Sequence, residues 1–207
     1  MTYLLVAFLA VVLVPLFAAS WRTSLLGLSL QGLLLAWIAL RTSAELSAPV
    51  LLTLADLILL RGFLVPFTLH GVLSPERVLR RNDVIPYNLF SWMLVGAIVL
   101  ASFHFANTVV KADGASSLEL STATAALLLG LFVLATQNSM FSQMVGLLRI
   151  ENAIALFELM SPRHWGLPFE FGIATVFLLS IVVLGRFLRA ELGAVTEPPP
   201  AEQRPSL

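Results

Sequence analysis

Residues 50–73 read VLLTLADLILLRGFLVPFTLHGVL, an apolar run interrupted by formal charge only at Asp56 and Arg61. Crossing the hydrocarbon core of a bilayer takes roughly 20 mainly apolar residues in helical form. Backbone N–H and C=O groups find no water there, so the chain must satisfy them internally, and a helix does so within one segment. The stretch therefore predicts a transmembrane helix. Working outward, the same reading predicts spans over 3–20, 24–40, 86–108, 120–137, 140–160 and 167–189. The breaks fall at Trp21-Arg22-Thr23, 41–47, 74–83, 111–119, 137–139 and 161–166. Several are tight, so successive helices must form antiparallel hairpins. The expected fold is an all-α polytopic transmembrane bundle of about seven helices, or six if one of the first two is re-entrant.

Composition agrees. The 207 residues are 58% hydrophobic and 12% charged, with a mean hydropathy of +0.93, whereas a soluble domain carries about 25% charge. Without cysteine the chain offers no disulfide, no thiolate metal site and no iron–sulfur ligation. A net charge of zero gives no field that would draw nucleic acid. His70, His104 and His164 are scattered without metal-ligand spacing, and no phosphate loop or nucleophile elbow is present. No cofactor is expected on this chain. The N-terminal run lacks a basic region and leads into further apolar sequence, so it reads as a retained helix and not as a signal peptide. The segment 193–207, rich in proline and small polar residues, reads as a disordered tail.

Arginine placement orients the bundle. With the N-terminus outside, seven crossings put Arg22, Arg77, Arg80, Arg81, Arg186, Arg189 and Arg204 on the inner side. Arg41, Lys111 and Arg163 fall on the outer side. The positive-inside rule then favours N-out and C-in, with the loop Pro75–Asp83 deciding most of it.

The first three and last three segments read as two copies of a three-helix unit, 1–85 and 120–192, separated by a spacer helix and outer loop over 86–119. Gly27-Leu28-Ser29-Leu30-Gln31-Gly32 is matched by Gly146-Leu147-Leu148-Arg149-Ile150-Glu151-Asn152. Asp56 and Glu170 open the third helix of each copy. An odd spacer keeps both copies in one orientation, a parallel repeat.

A charge near the bilayer centre costs about 2.5–3.5 kcal/mol even on a permissive scale. Asp56, Arg61, Arg149 and Glu151 lie well inside their spans, while Glu158 and Glu170 lie nearer the outer boundary. On an α-helix Arg149 and Glu151 face apart, as do Asp56 and Arg61, five residues from each other. Bridges between helices, Glu151 with Arg61 or Asp56 with Arg149, fit better. Glu151 and Glu158 stand two turns apart on one face, pointing from mid-membrane to the outer surface. A carboxyl caught between burial and a nearby arginine can exchange a proton, which makes Glu151 the candidate relay. The competing reading is a neutralised pair that locks helices together. For Glu170 the start of a helix is a favourable place for an acid on its own account. His70 and His104 read as interface positions, and Pro66 within a span predicts a kink.

The run Gly146–Asn152, followed by Glu170-Phe171-Gly172-Ile173-Ala174-Thr175, resembles hydrogenase-4 component E. So does Arg61-Gly62-Phe63-Leu64-Val65-Pro66. Residues 120–189 are similar, more distantly, to the K subunit of respiratory complex I and the C subunit of Mrp antiporters. The resemblance implies an accessory, non-catalytic membrane-arm subunit of a redox-driven ion-translocating complex. It would lie in a bacterial or archaeal cytoplasmic membrane, partnered by antiporter-like subunits, with the redox centre on another chain. Glu151 and Glu170 would supply the proton-transfer carboxylates, Arg61, Arg149 and Asp56 would tune them, and Glu158 would mark the outer exit. Three departures stand out. Leu148 occupies the place of the K subunit's first acid, Val176 the place of a component E acid, and Arg61 that of a lysine. The alternatives are a structural scaffold that docks such partners without carrying ions, and a small independent secondary transporter.

Overall fold

The computed structural model describes residues 1–17, 21–43, 45–72, 89–110, 114–137, 140–160 and 167–194. Among them every regular element is helical: α1 (Thr2–Phe17), α2 (Trp21–Thr42), α3 (Ala48–Ala55), a π-helical segment (Asp56–Leu64), α4 (Val65–Val72), α5 (Leu89–Val109), α6 (Gly114–Thr136), α7 (Met140–Leu159) and α8 (Leu167–Ala194). α3, the π segment and α4 run on without a break, so the described residues form seven helical rods. Four stretches are long and apolar enough to cross a membrane: Arg22–Thr42, Ala48–Gly71, Leu89–Val109 and Ser117–Thr136. Shorter apolar runs lie in α1 and α8. The basic loop Pro75–Asp83 and residues 195–207 lie outside the described residues, while the first two residues of the expected tail, Gly193 and Ala194, are instead the end of α8.

Two expected breaks are helical. Trp21-Arg22-Thr23 is the first turn of α2, because none of the three is a helix breaker and the exposed Arg22 can reach toward water from a helical backbone. Likewise α6 starts at Gly114, so Gly114–Glu119 belongs to the helix. Its opening polar groups find local partners: Ser117 donates to Asn107 of α5, and Ser121 to the Leu118 carbonyl. Hydropathy marks where lipid ends, and a helix can continue past that boundary.

α7 occupies the middle. It packs against α6, α2 and α8, and Met144, Val145, Leu148, Arg149, Asn152, Ala153 and Leu156 are all buried. A helix buried on most sides is shielded from lipid, which lets a rod that carries Arg149, Glu151 and Glu158 sit inside the bundle. α6 and α7 approach closely because Gly146 has no side chain; a Cβ there would lie 3.0 Å from the Leu134 amide nitrogen. Such small-residue contacts are the usual means of helix association in lipid. α5 is peripheral, packing on α6 and exposing Phe90, Trp92, Met93, Leu100 and Phe105.

Candidate functional site

The π segment decides the site. Five residues along an α-helix advance about 1.4 turns and leave two side chains on roughly opposite faces. A π-helix closes its hydrogen bonds from residue i to i+5, so residues five apart stack on one face. Asp56 and Arg61 therefore meet: Arg61 Nε donates to Asp56 Oδ2 at 2.9 Å. The expectation that they diverge is corrected, and the cause is the change of helix type. Pro66 follows directly. It has no N–H to continue an α ladder and its ring would strike the carbonyl four residues back. The irregularity expected as a kink at Pro66 is thus taken up before it as a widened helix, in which the Val65 N–H bonds to Leu60 O.

From Arg61 the polar contacts continue across the bundle. Its Nη1 donates to Asn152 Oδ1 of α7 at 3.1 Å, and Asn152 Nδ2 donates to Gln31 Oε1 of α2 at 3.2 Å. The Phe177 ring of α8 lies 4.0 Å from the guanidinium carbon, in cation–π range. Arg61, Asn152 and Gln31 are buried, and four rods contribute to this one cluster. Gly32 makes the approach of α2 possible: a Cβ there would come 2.8 Å from Gly62 N and 2.9 Å from Leu57 O on the π segment.

Glu151 lies next to this cluster. It is half-buried, beside Ser180 of α8 and within electrostatic range of both Arg61 and Asp56. Its Oε2 is buried without a hydrogen-bond partner among the described residues. The expected Glu151–Arg61 bridge is replaced by Asp56–Arg61, and Asp56 gives its hydrogen-bonded oxygen to Arg61 instead of Arg149. Arg149 is buried on α7. Glu158 is half-buried and lines a small cavity together with Asp56 and Arg61. Glu170 falls near the start of α8, but its side chain lies outside the described ones. His70 and His104 are exposed near the ends of α4 and α5, and Val176 is exposed.

Sequence reading had picked out Gln31, Asn152 and Arg61 separately, and it missed Phe177 and Ser180. A phenylalanine and a serine in an apolar helix carry no mark that distinguishes them from lipid-facing neighbours. Their position one helix turn apart on α8, opposite Arg61 and Glu151, emerges only from packing.

Chemically the arrangement combines one satisfied cation with two carboxyls, Asp56 and Glu151, that each retain a buried oxygen with no hydrogen-bond partner among the described residues. Bonded to Asp56 and Asn152, the Arg61 guanidinium contributes to the field around Glu151. No family model matches the chain, and no curated protein or solved structure does either.

Proposed function

We propose that this chain is an accessory membrane-arm subunit of a redox-driven, ion-translocating complex of the hydrogenase-4 or complex I kind, in which Glu151 takes part in proton transfer. The observation that carries the reading is the contrast between Glu151 and Arg61 at membrane depth. Arg61 is held by Asp56, Asn152 and Phe177, while Glu151 Oε2 is buried with no hydrogen-bond partner among the described residues. A carboxyl left in that condition is costly to maintain for structure alone. The residues Gly146–Asn152 and Glu170–Thr175 support the family reading by their resemblance to component E. In this reading the N-terminus is outside, the C-terminus inside, and antiporter-like subunits cover part of the lateral surface. Glu170 is the secondary carboxylate, and the redox centre belongs to another chain.

The test is Glu151→Gln in the intact complex. Proton pumping per redox turnover should fall severely while the complex still assembles. Unchanged pumping and turnover would remove Glu151 from the path.

A second reading, a scaffold whose charges dock helices without moving ions, is favoured by one specific observation. The Asp56–Arg61–Asn152–Gln31 chain ties three rods together, and its bonds form without any mobile proton. In that case replacing Glu151 leaves pumping intact, whereas replacing Asn152 disturbs assembly.

A further inference from the structure

Between the π segment, α7 and α8 lies a cavity of about 20 Å³. Its polar lining is Thr53, Asp56, Arg61 and Glu158, and the small side chains of Ala155 and Ala174 leave the room. By this measure one water molecule needs roughly 10–15 Å³ and two to four polar partners. The space is therefore large enough to hold a water.

Asp56 supplies an independent reason. Its Oδ2 accepts from Arg61, but its Oδ1 is buried with no hydrogen-bond partner among the described residues. A buried carboxylate oxygen in that state is explained most simply by a donor from a bound water. The Arg61 guanidinium on the same wall opposes a cation, while a neutral water can donate to Asp56 on one side and to Glu158 on the other.

We infer that this cavity is a binding site for a single ordered water, which bridges Asp56 of the π segment to Glu158 of α7. With it the chain Gln31–Asn152–Arg61–Asp56 extends to Glu158, the acid near the end of α7. The connection to that end of the bundle thus runs through the third rod, not along the α7 face from Glu151 alone. Its use as a proton exit rests on the function proposed above; the water itself does not.

The experiment is hydroxyl-radical footprinting by X-ray radiolysis of the full chain in lipid nanodiscs. Radicals formed from a bound water label the side chains touching it. Leu57 lines the cavity and is only 1% exposed, so it is compared with Leu35 and Leu129, which are just as buried but lie away from the cavity. Leu57 should label several-fold faster than either. Ala174→Leu, which fills the space without touching a charge, and Glu158→Leu, which removes one partner, should each return Leu57 to the level of Leu35. Equal labelling of the three leucines in the unmodified chain overturns the inference, whatever the variants do. Fast Leu57 labelling that survives both substitutions also overturns it, since that water would not be held in this cavity. The measurement needs no partner subunit and no transport. Fast labelling of Leu57 combined with unchanged pumping in Glu151→Gln would sink the proton-transfer reading and leave the water site standing, and the reverse combination would do the opposite.

Discussion

Arg61 carries a permanent charge at a depth where lipid cannot solvate it, and three side chains answer that problem. Asp56 supplies the counter-charge, Asn152 a neutral acceptor and Phe177 a π face. Removing one member of a buried pair is worse than removing both, because the survivor is left uncompensated. Asp56→Ala should therefore lower unfolding stability by about 3–5 kcal/mol, while Asp56→Ala with Arg61→Leu should recover most of the loss. Thermal melting of the chain in detergent checks this; a double variant no more stable than the single one would show that the pair is not the tie. Asn152→Ala forfeits its bonds to both Arg61 and Gln31. Bonds between helices in lipid average about 0.6 kcal/mol and reach about 1.7, so a loss of roughly 1–2 kcal/mol is expected. The same substitution in a Gln31→Ala background should cost less, since one of the two bonds is already gone. Glu151→Gln belongs to a different class. With one oxygen unbonded, its stability cost should stay within about 0.5 kcal/mol, so any loss of pumping could not be charged to unfolding.

At the scale of elements, the π segment and Gly32 form one device. The widened turn presents Asp56 and Arg61 on one face, and the bare Cα of Gly32 lets α2 lie against the backbone that widening exposes. Gly32→Ala puts a methyl into atoms 2.8–3.0 Å away, all of them backbone and unable to swing aside. The two rods must then separate, at about 1–3 kcal/mol for overpacking. Gly96→Ala on α5 meets nothing within 4 Å and should be neutral or stabilising by up to about 1 kcal/mol. Melting temperatures of the two variants give the comparison, and equal shifts would refute the close-approach argument. This contrast also shows what a sequence of this kind discloses. The rods were legible because mainly apolar runs are set apart by polar breaks, and four of the described stretches also have the apolar length that lipid requires. Asp56–Arg61 was not legible, since no residue between 56 and 64 announces an i to i+5 ladder, and the α-helical period assumed for them gave the wrong faces. Gln31 and Asn152 were visible as polar residues in apolar helices, but their bond depends on how α2 and α7 pack.

For the whole molecule, polarity is sorted radially. α7, which carries Arg149, Glu151 and Glu158, is enclosed by α2, α6 and α8, and large apolar side chains such as Phe67, Leu89, Phe90 and Leu100 are exposed at the periphery. So many exposed large apolar side chains fit lipid or partner helices better than water. The sorting fixes inside from outside of the bundle, but not which end faces the cytoplasm; that depends on the arginines. Because the chain has no native cysteine, single substitutions report without background. Glu45→Cys, in the exposed connection between α2 and α3, should react with an impermeant maleimide in intact cells. Asn82→Cys, beside Arg80 and Arg81, should react only after the membrane is opened. The opposite pattern would place three arginines of one loop on the outer side, against the bias that ordinarily governs insertion. It would also exchange the two ends of the polar chain, placing Glu158 on the cytoplasmic half, so that under the proposed function the Asp56–Glu158 connection would be an entry for protons instead of an exit.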